Sequence, residues 1–138
     1  MTGIITQDEA LKQILGDAKR IAVVGHSANP ARTSYQIAAY LRRVGYTVYP
    51  VNPTVDEIDG EPSYASLADL PEPVDIVNVF RRSEHLADVV QAAINAAVPT
   101  VWAQLGVMSE AAATLAAQHD MSLVMDRCIK VEHHRLLV

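Results

Sequence analysis

The sequence predicts a doubly wound α/β fold, a mainly parallel sheet with helices on both faces. Two observations lead there. Short apolar runs rich in β-branched residues alternate with helix-period segments, the pattern of parallel strands buried on both faces. Right-handed crossovers between successive strands then put helices on both sides of the sheet. A third observation concerns function: the polar and irregular residues gather just after the strands, the edge where such sheets bind ligands.

Each element has its own signal. Thr6-Gln7-Asp8-Glu9 has the capping-box form, and Ala10, Leu11, Ile14 and Leu15 share one helical face, so a short helix should end near Gly16. Residues 21–24 form a compact apolar strand closed by Gly25. A long polar turn follows, and Ser34 is the expected N-cap of a helix carrying Ile37, Ala38, Leu41 and Val44, with Gly45 as its C-cap. Residues 47–51 read as a second strand. Pro50 has no ladder donor, which assigns part of that strand to a sheet margin. Residues 61–64 read as a short edge strand and 66–70 as a helical turn. Residues 75–80 form the next buried strand. Ser83 is the expected cap of a helix with Leu86, Val89, Val90, Ala93, Ile94 and Ala97 at spacings of three and four. Residues 100–103 form a strand, Ser109 opens an alanine-rich helix to about His119, and 122–125 form a last strand. No regular element is predicted for 126–138.

Composition bounds the function. The 138 residues suit one domain, 1–138, with a real core. A net charge of −5 argues against a general nucleic-acid binder, which needs a basic face. No apolar run approaches the roughly 18 residues of a membrane span, and no signal-peptide pattern opens the chain. The single cysteine, Cys128, excludes an internal disulfide and suits a reducing cytoplasm. A cytoplasmic protein without nucleic-acid or membrane partners is expected.

The stretch around Gly25 is the centre of the chemistry. A strand, a glycine turn and a helix N-terminus make a ready anion site. A nicotinamide dinucleotide fits it poorly. The turn lacks G-x-G-x-x-G, since only Gly25 is a glycine, and Asn52-Pro53 stands where a ribose-binding carboxylate belongs.

Five segments carry a closer likeness. They are Gly25-His26-Ser27-Ala28-Asn29-Pro30-Ala31-Arg32-Thr33-Ser34-Tyr35, Val51-Asn52-Pro53, Val79-Phe80-Arg81-Arg82-Ser83, Trp102-Ala103-Gln104-Leu105-Gly106 and Met125-Asp126-Arg127-Cys128. In this order they resemble a family of small CoA-binding proteins, similar to the N-terminal Rossmann-like domain of the succinyl-CoA synthetase alpha subunit. The resemblance covers residues 4–133. It implies a six-stranded Rossmann-like sheet in the order 3-2-1-4-5-6, with CoA across the strand ends. It implies no reaction, because the synthetase domain that carries the phosphorylated histidine has no counterpart here. A stand-alone binding or regulatory module is expected.

The residues suit coenzyme A or an acyl-CoA on physical grounds. Gly25 and Asn29 belong to the anion-binding turn. The diphosphate would take the N–H groups of Thr33, Ser34 and Tyr35 and the hydroxyl of Ser27 or Ser34. Arg32 is a candidate phosphate contact, since a guanidinium matches phosphate oxygens with paired donors. Asn52 and Pro53 would border the adenosine, and Val79, Phe80 and Arg81 would line the neighbouring slot. Arg81 or Arg82 is a second phosphate contact, or else pairs with Glu84 or Asp88. Gln104, Leu105 and Gly106 would lie near the pantetheine arm.

Cys128 reads either as a small buried apolar residue or as an exposed thiol able to form a mixed disulfide with CoA. His26 reads as a ligand contact or as a solvated or packed side chain. Glu132-His133-His134 lacks a fixed ligand set, so no metal site is expected. The tyrosines Tyr35, Tyr40, Tyr46 and Tyr49 read as packing residues, and no catalytic residue is assigned. Two rival functions are an acyl-CoA-dependent enzyme using Cys128 and an NAD or ADP sensor. A homo-oligomer, paired through the alanine-rich helix, or an unknown protein partner stays open.

Overall fold

The computed structural model describes residues 3–138. Its eight strands are β1 (Gly3–Ile4), β2 (Arg20–Val24), β3 (Thr47–Val51), β4 (Glu57–Ile58), β5 (Glu61–Pro62), β6 (Ile76–Val79), β7 (Thr100–Ala103) and β8 (Ser122–Val124). The helices are α1 (Asp8–Asp17), α2 (Thr33–Arg43), α3 (Leu86–Asn95), α4 (Glu110–Gln118) and α5 (Ile129–Leu137), with 3-10 turns at Leu67–Asp69 and Ser83–His85. Six strands form one parallel sheet in the order β3-β2-β6-β7-β8-β1. The fold is the expected α/β, Rossmann-like one.

The two margins of the sheet differ in detail from the expected order. Residues 61–64 were to extend it beyond β3. Instead Glu61–Pro62 folds back antiparallel on Glu57–Ile58, and only Tyr64 reaches Val51, through a single parallel bridge. The cause is local. Asp59 and Gly60 both take positive φ, 52° and 83°, which is the type I′ hairpin signature, and Pro62 has no donor for a longer ladder. The sixth strand comes from the N-terminus: β1 adds parallel to β8, through Gly3 N–H to Met121 O and Ile5 N–H to Leu123 O. Pro50 lies on β3, a margin strand, as its missing donor requires.

Strand alternation splits the core into two layers. Ala22, Val24, Val77, Val79, Val101, Ala103 and Leu123 face α3 and α4, where Leu86, Val90, Ala93, Ala112 and Ala116 are buried. Ile21, Val23, Ile76, Trp102 and Val124 face α1, α2 and α5, where Leu11, Leu15, Ile37, Leu41 and Ile129 are buried. Each valine, leucine or isoleucine among these removed from water stabilises the fold by about 1.5–3 kcal/mol. The crossovers therefore hold every strand end in a fixed frame.

Three helix starts differ from expectation. Gln7, not Thr6, holds the N-cap position of α1, and it makes no side-chain cap. The carbonyl of Thr6 accepts from Arg127 and Asp8 is gripped by Arg135, so tertiary contacts replace the capping box. Arg32 holds the N-cap position of α2, and Ser34 sits in its first turn. Ser83 opens a 3-10 turn ahead of α3 and turns its hydroxyl to another loop. Ser109 does cap α4, accepting the Ala112 N–H at 3.1 Å. The segment 126–138, left without an element by its sequence, contains α5.

Candidate functional site

The loop after β2 is shaped by its own short polar side chains. Gly25 has φ +87°, and a Cβ there would lie 2.5 Å from the carbonyl oxygen of Phe80, so only glycine fits. Ser27 Oγ accepts the Asn29 N–H at 3.0 Å, and Asn29 Oδ1 accepts the Ala31 N–H at 3.0 Å. The Asn29 carbonyl takes the Arg32 N–H at 3.0 Å, and Ser34 Oγ takes the Ser27 N–H at 2.9 Å. These bonds fold the loop back over the start of α2. The N–H groups of Thr33, Ser34 and Tyr35 stand in that first turn, where no intrahelical acceptor exists. The Ser27 and Ser34 oxygens are engaged as acceptors, and each hydroxyl keeps its proton to donate.

A cleft of about 460 Å³ opens here, bounded by Gly25, Ser27, Arg32, Thr33, Ser34, Asn52 and Phe80. Among the described residues no carboxylate pairs with Arg32 or Arg81. Unengaged N–H groups, hydroxyl protons and a free guanidinium give this cleft the chemistry of an anion site. Next to it, a more apolar cleft of about 230 Å³ lies between Val24, Val51, Pro53, Leu67, Arg81 and Val89.

Hydrogen bonds between loops tie the strand ends into one edge. Asn52, after β3, donates its amide to the His26 carbonyl at 2.9 Å, and its Oδ1 accepts from Thr54 N–H and hydroxyl. Ser83, after β6, donates to Gly106 O at 3.1 Å and accepts from Met108 N–H at 2.9 Å. Asp126, after β8, accepts the Gly106 N–H at 2.7 Å. Gln104, after β7, accepts the Ile129 N–H at 3.0 Å, a cap for α5. The edge is thus organised before any ligand arrives.

His26 is fully buried in this edge, and burial holds its imidazole below the usual pKa, against the pull of its hydrogen bond to Ser27 O. Arg42, 3.4 Å from Nε2, disfavours the charged ring further. Tyr35 stands edge-on to the ring at 5.9 Å and bonds Asp59 across the loop. His26 and Tyr35 are packing groups that fix the loop.

Residues 19–134 match the family model described as CoA binding domain. The chain belongs to the CoA-binding domain family. It is 44% identical over 123 residues to the uncharacterized protein YneT of Bacillus subtilis (strain 168), covering 89% of this chain and 91% of that protein. A structure titled hypothetical protein from Pyrococcus horikoshii OT3 superposes with TM-score 0.93 at 34% identity, over 96% of this chain and 94% of that one. The dinucleotide forming acetyl-coenzyme A synthetase 1 of Ca. Korarchaeum cryptofilum aligns with TM-score 0.65 at 27% identity. That alignment covers 76% of this chain and 25% of the synthetase, so the CoA-binding domain corresponds to one part of a larger protein.

In this CoA-binding domain the expected site residues divide into two groups. Gly25, Ser27, Arg32, Thr33, Ser34, Asn52 and Phe80 converge on the first cleft, and Pro53 and Arg81 on the second. Leu105 and Cys128 line a third groove farther along the edge. Others act from behind. Asn29 and Gly106 shape loops, and the Tyr35 side chain points to Asp59. Val79 is fully buried among core residues and lines neither of the first two clefts. Gln104 is buried with its carbonyl oxygen on α5. Arg82 stands exposed beside Glu84 at 3.7 Å, the ion-pair alternative.

The sequence did not point to Leu67, Val89 or Ala92 as lining residues of the second cleft. Val89 shares the helix-period face of α3 and lies half-buried at the border of that face. Buried Asn78 was also missed. It lies in β6 two residues before Phe80, and its amide makes no bond to a described residue.

Proposed function

We propose that this chain binds coenzyme A, free or acylated, along the C-terminal edge of its sheet. It does so as a binding or regulatory module, in a reducing cytoplasm that its single thiol suits. The observation that carries this reading is the folded loop of 25–34. It presents the unengaged N–H groups of Thr33 and Ser34, two hydroxyl protons and the free Arg32 around one cleft. Family membership supports the ligand's identity. The diphosphate takes the first turn of α2, with Arg32 on a phosphate and Arg81 at the border of the second cleft. The adenosine takes that second cleft, against Pro53, Val24 and Val51. The pantetheine arm runs past Phe80 toward Leu105 and Gly106, where a few polar groups flank an apolar channel.

Arg32 is exposed and packs in no core layer, so its replacement tests binding without disturbing the fold. Arg32→Ala is expected to weaken CoA by about 1–3 kcal/mol in titration calorimetry, with an unchanged melting temperature. Unaltered affinity would remove Arg32 from the site and shift the phosphate to Arg81.

A further inference from the structure

A third groove, of about 530 Å³, lies at the other end of the strand edge. Its lining includes Ile4, Leu105, Met108, Met125, Cys128 and Val131. Leu105 is 66% exposed, Val131 57%, and Ile4 and Met108 53% each. Seven large apolar side chains are exposed among the described residues, and these four of them meet in one concave place. Scattered apolar exposure is ordinary, whereas convergence of this kind marks a binding surface.

The polar groups in its walls are already engaged. Arg127 holds Glu132 at 2.5 Å and reaches the Thr6 carbonyl at 3.3 Å, and Asp126 takes the Gly106 N–H. No cation is left over for an anionic guest. Most of what faces the groove is hydrocarbon, two adaptable thioethers and one half-buried thiol, with Thr6, Asp126, Arg127 and Glu132 in its polar part. The guest is therefore an apolar chain.

Its source follows from position. The groove begins at Leu105, where the proposed pantetheine path ends. Three strand spacings separate β2 from β8, about 14 Å. A pantetheine arm is comparable to an extended chain of about four residues, which spans the same distance.

We propose that this groove holds the acyl chain of a CoA thioester, so that the ligand class is a medium-length or longer acyl-CoA. The inference rests on the CoA reading above and adds its acyl specificity. The thioester sulfur arrives near Leu105, and the chain lies between Met108 and Val131, with Ile4 closing the far wall. The two methionines let the walls follow chains of different shape.

The test is calorimetry of the full chain with CoA, acetyl-CoA and octanoyl-CoA. Octanoyl-CoA should bind at least about tenfold more tightly than CoA, because several methylenes leave water. Val131→Asp and Met108→Glu, both at exposed positions outside the core, should cut that advantage to within about twofold and leave CoA affinity unchanged. Equal binding of octanoyl-CoA and CoA by the unaltered protein overturns the acyl groove and leaves the CoA site standing. Absence of binding to all three ligands removes the CoA reading itself. A dimer in sedimentation that Val131→Asp splits, with octanoyl affinity unchanged, would show that a second copy covers this face, and that also overturns the proposal.

Discussion

At the scale of single residues, Gly25 links fold and site most tightly. Its positive φ and its lack of a side chain, where a Cβ would lie 2.5 Å from Phe80 O, let the β2 and β6 strand ends pack together. Gly25→Ala is expected to cost about 1–3 kcal/mol of stability by chemical denaturation and to abolish measurable CoA binding, since the loop must shift. A variant with wild-type stability would contradict the close packing. The turn-shaping places of Gly25 and Ser27 were legible in the sequence, because a glycine and short polar residues after a strand mark a tight turn. The inward roles of Gln104 and Ser83 were not. Both follow strands, as ligand contacts do, and only the tertiary structure reveals that their polar atoms face Ile129 N–H and the Gly106–Met108 backbone.

At the scale of elements, α5 is the one the sequence hid. Its buried positions include Glu132 and His133, so the apolar stripe that betrays an amphipathic helix is interrupted. Partners far along the chain supply what the stripe lacks. Arg135 forks onto Asp8 of α1 and bonds Glu132, Arg127 also holds Glu132, and Tyr40 of α2 bonds His133 at 2.8 Å. Burial pushes the Glu132 pKa up, and hydrogen bonds from Arg135 and Arg127 more than offset it, so the carboxyl titrates below its ordinary range. Its folded-state pKa is depressed. The contribution is therefore complete above the ordinary carboxylate value of about 4.3 and is lost as pH falls through the lowered one. Glu132→Gln should cost about 1.5–3 kcal/mol at neutral pH, and the cost should shrink in acid. Denaturation curves at two pH values check this, and an equal cost at both would contradict the ion network.

At the scale of the whole molecule, two buried imidazoles set an earlier acid limit. Burial holds both His26 and His133 below the usual histidine pKa. The unfolded chain binds their protons first, so stability should decline as pH falls below about 6.5, above the window in which the Glu132 contribution is lost. Melting temperatures from about pH 8 to about pH 5 test this, and a flat profile would contradict it.

Strands β2, β3, β6, β7 and β8 were legible because each is a short apolar run between turn signals, and their order followed from the family resemblance. The β1 margin and the β4–β5 hairpin were not, since two-residue strands carry no periodicity. Their placement depends on which edge the rest of the sheet leaves open. The same sheet fixes the strand-end loops, so a site assembled from β2, β3 and β6 stands ready on a rigid frame.

The central claim, that this edge is built for CoA, is tested most directly by native mass spectrometry of the purified protein followed by titration with CoA and ADP. The account predicts a retained or restored CoA adduct and CoA affinity at least about tenfold above that of ADP, from contacts along the pantetheine arm. No CoA binding, or affinity equal to that of ADP, would contradict it.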